Sequence, residues 1–163
     1  KEELDNAFRA FKDLADKKRE VTDRDLEALM AEERRAITDS ATFRLDHVQV
    51  SSGDTSMPTA TVQIVGPGDE ILRDAATGAG PVDAVCNAIN RIVQIPSRLV
   101  EYSVKSITEG LDAVGDVSIR VESSGETYVG RGASTDIIVA SARAYMNALN
   151  RIISIGNDRA IDE

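Results

Sequence analysis

The chain has no tryptophan, a single histidine, a single cysteine, and only three tyrosines and three phenylalanines among its 163 residues. Each shortage excludes something. One thiol, Cys86, forms no internal disulfide, which fits a reducing cytosol and sets a cytoplasmic expectation. One imidazole, His47, falls in an expected strand, with no second His or Cys at ligand spacing, so no metal site is expected. No apolar run approaches the roughly 18 residues of a membrane-spanning helix, and the opening KEELDNAFRA lacks the layout of a secretory signal. The formal charge of −9 repels phosphate backbones, and no basic patch offsets it, so neither nucleic acid nor a membrane is expected as a partner. The chain carries no GxSxG, HExxH or P-loop. Cys86, between Val85 and Asn87 in an expected helix, is read as a buried inert thiol. No catalytic residue, metal or cofactor is expected within this chain.

What is present is a duplication. Gly80–Ile95 laid over Ala140–Ile155 pairs Ala84 with Ala144, Asn87 with Asn147, Ala88 with Ala148 and Asn90 with Asn150. Arg91 pairs with Arg151, Ile92 with Ile152 and Ile95 with Ile155. Each copy is an apolar-periodic helix preceded by strand-like segments. In the first copy, Phe43, Leu45, His47 and Gln49 alternate with Arg44, Asp46, Val48 and Val50. Thr59–Val65 is a β-branched strand closed by Gly66-Pro67-Gly68, and Glu70–Asp74 is a third strand. In the second, strands are expected over 99–109, 116–122 and 126–130, with a tight hairpin at Ser123-Ser124-Gly125 and a helix over 136–153. The predicted fold is α+β, two pseudo-symmetric βββα units packed together. The repeats span about 41–95 and about 98–155 within a domain at 37–156, with a polar, frayed tail at 157–163.

Residues 1–36 read differently. Leu4, Ala7, Phe8, Phe11, Leu14 and Ala15 recur at helical spacing, and Thr22 with Asp25 starts a second helix carrying Leu26, Leu29 and Met30. This short helical subdomain, dense in charge of both signs, has too narrow an apolar stripe to form its own core.

Two glycine-bearing segments, Gly78-Ala79-Gly80-Pro81 and Gly130-Arg131-Gly132, each stand between a strand and a helix. Exposed N–H groups at a helix start attract carboxylate or phosphate. Glycine there also serves a turn without any ligand. Both readings stand open on the sequence.

The segments GAGPVDAVCNAINRI (78–92), LVEYSVKSITEGLDAVGDVSIRVE (99–122) and YVGRGASTDIIVASARAYMNALNRI (128–152) resemble the C-terminal regulatory domain of 2-isopropylmalate synthases. LDNAFRAFKDLADKKREVTDRDLEALM resembles the helical linker subdomain that precedes it. The resemblance implies an allosteric domain that binds L-leucine for feedback inhibition and forms a homodimer. The catalytic (β/α)8 barrel, an acyltransferase condensing acetyl-CoA with 2-oxoisovalerate and needing a divalent metal, would lie outside this chain. Matched to the family's effector site are Gly78, Gly80, Pro81, Val82, Asp83 and Ala84 of the first turn. Leu99, Tyr102 and Ser103 of the long strand also match, as do Gly132, Thr135, Asp136 and Ile137 near the second helix. Ala79 stands where many relatives have Thr or Asn, which leaves more of the recognition to the backbone.

A zwitterionic amino acid needs donors, acceptors and an apolar pocket. Helix-start N–H groups near Gly80–Ala84 would take its carboxylate, Asp83 or Asp136 its ammonium, and Val82, Leu99 and Ile137 its side chain. Asp83 equally favours a helix N-terminus through the dipole, and Val82 equally serves as core. Two alternatives accompany this reading: the isoleucine-sensing regulatory domain of citramalate synthase, and a purely structural dimerisation module.

Overall fold

In a computed structural model, residues 42–106 and 113–161 are described. The helical block expected over 1–36, and positions 107–109 of the expected long strand, lie outside them. The order is β1 (Arg44–Ser51), β2 (Thr59–Val65), β3 (Ile71–Thr77), α1 (Pro81–Val93), β4 (Arg98–Ser106), β5 (Gly115–Ser123), β6 (Glu126–Ser134) and α2 (Ile137–Ile161). This is βββα twice. Each half is a three-stranded antiparallel sheet with its strands in chain order.

The central strands are the easiest to derive. Alternation on β2 puts Ala60, Val62 and Ile64 inside, and on β5 it puts Val117, Ile119 and Val121 inside. Against them lie Ala84, Val85, Ala88 and Ile89 of α1, and Ala140, Ala144, Tyr145, Ala148 and Leu149 of α2. Each fully buried Val, Leu or Ile stabilises the fold by about 1.5–3 kcal/mol, so this shared layer dominates its energetics. The hairpin at Ser124 and Gly125 has positive φ at both positions, 52° and 80°, as a two-residue turn between right-twisted strands requires.

Strand β1 departs from the expected alternation. Its register slips between Leu45 and His47, so a bulge at Asp46 changes which residues face inward. Phe43 and Leu45 before it, and Val48 and Val50 after it, all pack against the core, while His47 is exposed. A bulge adds one residue to one strand and reverses the alternation beyond it. The second half carries the same device: β4 slips between Leu99 and Glu101. Arg44 and Leu45 therefore correspond to Arg98 and Leu99, Val48 to Tyr102 and Val50 to Val104.

Gly130 and Gly132 lie inside β6, not in a turn. A Cβ on Gly130 would stand 1.9 Å from the Ala144 carbonyl oxygen, and one on Gly132 would stand 2.3 Å from that of Ala140. These glycines, with the alanines of α2, let helix and strand backbones approach closely. Packing accounts for both positions without any ligand.

Helix α2 is also longer than expected. It continues through Gly156 to Ile161, where the sequence suggested a frayed tail from 157. Gly costs only about 1 kcal/mol inside a helix, too little to stop one.

Candidate functional site

The first glycine turn is held from several sides. The Gly78 N–H donates to the Pro58 carbonyl at 3.1 Å, and the Asn87 amide donates to the Thr77 carbonyl at 3.1 Å. The Ala79 N–H donates to Asp83 Oδ2 at 2.8 Å, so Asp83 braces the turn that precedes its own helix. A Cβ on Gly78 would stand 2.4 Å from the Ala84 nitrogen. Gly80, the residue before α1, is extended (φ −154°) with Pro81 following, and no side chain caps the helix. The amides of Val82 and Asp83 therefore begin the helix with no side-chain cap, as donors at the positive end of its dipole.

At the second helix start the equivalent donors are already used. Asp136 Oδ1 accepts from the N–H of Ile138 at 2.8 Å and of Val139 at 3.3 Å. Asp136 acts there as an N-cap, the role Asp takes readily at that position.

Between α1 and β4 lies a cleft of about 370 Å3. Val82, Asp83, Cys86, Asn87 and Asn90 of α1 form one wall, and Arg98, Leu99 and Tyr102 of β4 form the other, with Ser97 and Tyr145 also lining it. Four of the residues singled out from the sequence meet here: Val82, Asp83, Leu99 and Tyr102. The Tyr102 hydroxyl reaches Ser141 Oγ of α2 at 2.9 Å. The Tyr145 hydroxyl donates to Asn90 Oδ1 at 2.7 Å and stands 3.4 Å from Ser97 Oγ. The cleft thus has apolar sides, a polar cluster and a carboxylate.

The other candidates fall elsewhere. Pro81 and Asp136 line a second cleft of about 350 Å3 with Val48, Val50, Ser52, Ile138 and Val139. Ser103 points to the outer sheet face, into a charged groove with Glu101, Lys105, Asp116, Ser118 and Arg131, because neighbouring strand residues face opposite ways. Ala84 is fully buried, Thr135 is exposed, and Ile137 Cδ1 would stand 2.7 Å from a Cβ on Gly115. Gly78, Gly80 and Gly132 line none of these hollows. Sequence reasoning missed Asn90, Ser97 and Tyr145 as one cluster. Asn90 was visible only as a repeated position.

Tyr102 belongs to a wider feature. Leu99, Tyr102 and Val104 are 41%, 39% and 45% exposed, whereas their counterparts Leu45, Val48 and Val50 pack against the core. An apolar row that one half covers is left open in the other.

Cys86 is inert for a stated reason. Burial, and then the neighbouring Asp83 charge, push its thiol from 9.0 up to about 12. In the unfolded chain the thiol ionises at its ordinary value, so the unfolded state gains as pH rises while the folded thiol keeps its proton. Stability is expected to hold below pH 9.0 and to fall from there to about pH 12, because the folded state binds more protons than the unfolded one across that range. Burial also raises Tyr145, in the same destabilising direction at higher pH. Urea unfolding over a pH series checks this. Most of the decline should vanish in Cys86→Ala, and a flat wild-type profile would show the thiol open to solvent.

Among the described residues no group of His, Cys, Asp and Glu is placed to hold a metal ion, and no helix is long and apolar enough to cross a membrane.

Comparison with known proteins finds relatives over nearly the whole chain. A 2-isopropylmalate synthase of Thermosynechococcus vestitus is 57% identical over 159 residues, which is 98% of this chain and 30% of that protein. Those of Microcystis aeruginosa and Gloeobacter violaceus are 57% and 53% identical, each over 92% of this chain and 28% of theirs. The chain therefore spans about 30% of the length of the relatives it matches. The profile of the LeuA allosteric (dimerisation) domain matches residues 20–153, a range that takes in both βββα halves except the end of α2, and the chain belongs to that family.

Proposed function

We propose that the chain is the effector-binding and dimerising part of a 2-isopropylmalate synthase, and that L-leucine is the effector bound in the α1/β4 cleft. The observation that carries this reading is the composition of that cleft. Val82, Leu99 and Tyr102 offer apolar walls, Asp83 offers a carboxylate for an ammonium group, and the adjoining helix start has no side-chain cap for its N–H groups. A small zwitterion with a branched apolar side chain needs these features together. The condensation of acetyl-CoA with 2-oxoisovalerate, and the divalent metal it uses, belong on this reading to a barrel outside these residues, in the cytoplasm.

The open row Leu99, Tyr102 and Val104 supports homodimerisation. It borders the cleft, so a second copy seated on it would sense whether the cleft is filled. That arrangement supplies what allostery needs, two states in which the ligand makes different contacts.

Isothermal titration calorimetry of the chain with leucine, isoleucine and valine tests the effector. Saturable heat with leucine and little with isoleucine is expected. Leucine at about a hundred times its dissociation constant should add about 2.7 kcal/mol of stability in a thermal scan. An isoleucine preference would favour a citramalate synthase sensor. No heat from any of the three, in a folded dimer, would leave a structural dimerisation module.

A further inference from the structure

The duplication offers an internal comparison, because the asparagines repeated between the helices can be checked one by one. Asn87 and Asn147 do the same thing: the first donates to the Thr77 carbonyl at 3.1 Å and the second to the Arg131 carbonyl at 2.7 Å, each at the last strand of its own half. Asn90 and Asn150 do not. Asn150 clamps the main chain just before β1, accepting from the Phe43 N–H at 3.1 Å and donating to the Phe43 carbonyl at 2.8 Å. The counterpart of Phe43, just before β4, is Ser97. Asn90 instead spends its Oδ1 on the Tyr145 hydroxyl.

The bulk at the two junctions is exchanged as well. Around Asn150 the aromatic ring comes from the strand side, Phe43, and the helix position matching Tyr145 is Val85. Around Asn90 the aromatic comes from the helix, Tyr145, and the strand-side residue is the small Ser97. At the clamped junction the strand is half-buried, and the cleft along it, at Val48 and Val50, does not reach Phe43 or Asn150. At the junction without the clamp the strand is exposed, and the cleft is lined by Asn90, Ser97 and Tyr145 themselves.

We propose that Asn90 is a latch with two partners and Tyr145 is the wedge that keeps it open. With Tyr145 bound, the cleft stands open beside α1. With Asn90 on the Ser97 peptide, as Asn150 holds that of Phe43, β4 draws onto α1 and the cleft closes. This rests on the reading of the cleft as the effector site: a ligand there binds only the open form and shifts the population towards it. Asn90 and Tyr145 are positioning residues in this scheme.

Amide hydrogen exchange, read by NMR, tests the latch without any ligand. In wild type the Phe43 amide should be protected and the Ser97 amide should exchange freely. In Tyr145→Val, the residue the first half has at that position, the Ser97 amide should slow by about tenfold or more. Asn90→Ala added to that variant should restore fast exchange. Tyr145→Val combined with Ser97→Phe recreates the Phe and Val pair of the other junction without losing bulk, and should slow the amide of residue 97 too. Both Tyr145 variants should bind leucine about tenfold more weakly, because most molecules are then closed. Unchanged exchange at residue 97, with Phe43 still protected, overturns the latch. So does loss of Phe43 protection in both Tyr145 variants, since the two junctions would then not be interchangeable. Slowed exchange with undiminished leucine binding overturns the gating. If wild type binds no leucine, the effector reading fails and the exchange arm still decides the latch.

Discussion

Gly130→Ala is expected to cost about 3–5 kcal/mol of folding stability, a large share of what a domain of ordinary stability has. The added carbon would stand 1.9 Å from the Ala144 carbonyl oxygen, 2.5 Å from the Ala148 nitrogen and 2.9 Å from the Ala148 Cβ. Two of these atoms are helix backbone, so no rotamer change relieves the overlap. Either α2 moves away from β6 or the strand bends, and both open the layer that buries Tyr145 and Leu149. Overpacking of a dense core commonly costs about 1–3 kcal/mol, and an obstacle made of backbone exceeds that. Urea unfolding monitored by far-UV circular dichroism measures it. A midpoint within error of wild type would mean that α2 does not lie this close to β6.

Gly80→Asp should behave in the opposite way, with the fold intact and the ligand response gone. Nothing lies within 4 Å of a Cβ built at Gly80, and its extended backbone suits any residue. An Asp before α1 would cap the helix, so stability should stay within about 0.5 kcal/mol of wild type or rise slightly. The same carboxylate would occupy the Val82 and Asp83 amides and repel a ligand carboxylate. Leucine affinity should drop by about a hundredfold, or about 2.7 kcal/mol. Calorimetry beside a thermal scan separates these quantities. Normal leucine binding by Gly80→Asp would show that the effector's carboxylate does not lie at this helix start.

The contrast between these glycines shows how far the sequence could be read. Both were visible as glycines between strand and helix, and in one dimension they looked equivalent. What separates them is the distance to another backbone, which depends on where Ala140, Ala144 and Ala148 present a flat helix face. The central strands were legible because Ala60, Val62 and Ile64, and Val117, Ile119 and Val121, alternate without interruption. The helices were legible because one repeats the other. The inward face of β1 was not, because a bulge at Asp46 leaves no mark in the residues around it. The ends of β3 and β6 were not, because Ala75-Ala76-Thr77 and the glycines of 130–134 resemble turn residues. At the candidate site, Val82, Asp83, Leu99 and Tyr102 could be placed by motif. The cluster of Asn90, Ser97 and Tyr145 could not, because its three members come from different elements and matter only through how one half differs from the other.

The clamp between Asn150 and Phe43 joins positions 107 apart in the chain. Without α2, the first strand of the first half lacks this fastening, and it also lacks the neighbours Ile138 and Val139 that stand beside Val48 and Val50. The half of this domain that is made first is therefore completed by a helix of the half made later. Joining ends so far apart costs loop entropy before any contact rewards it. Although the sequence repeats itself, the two halves are not separable modules: a helix of the second holds the first strand of the first in place.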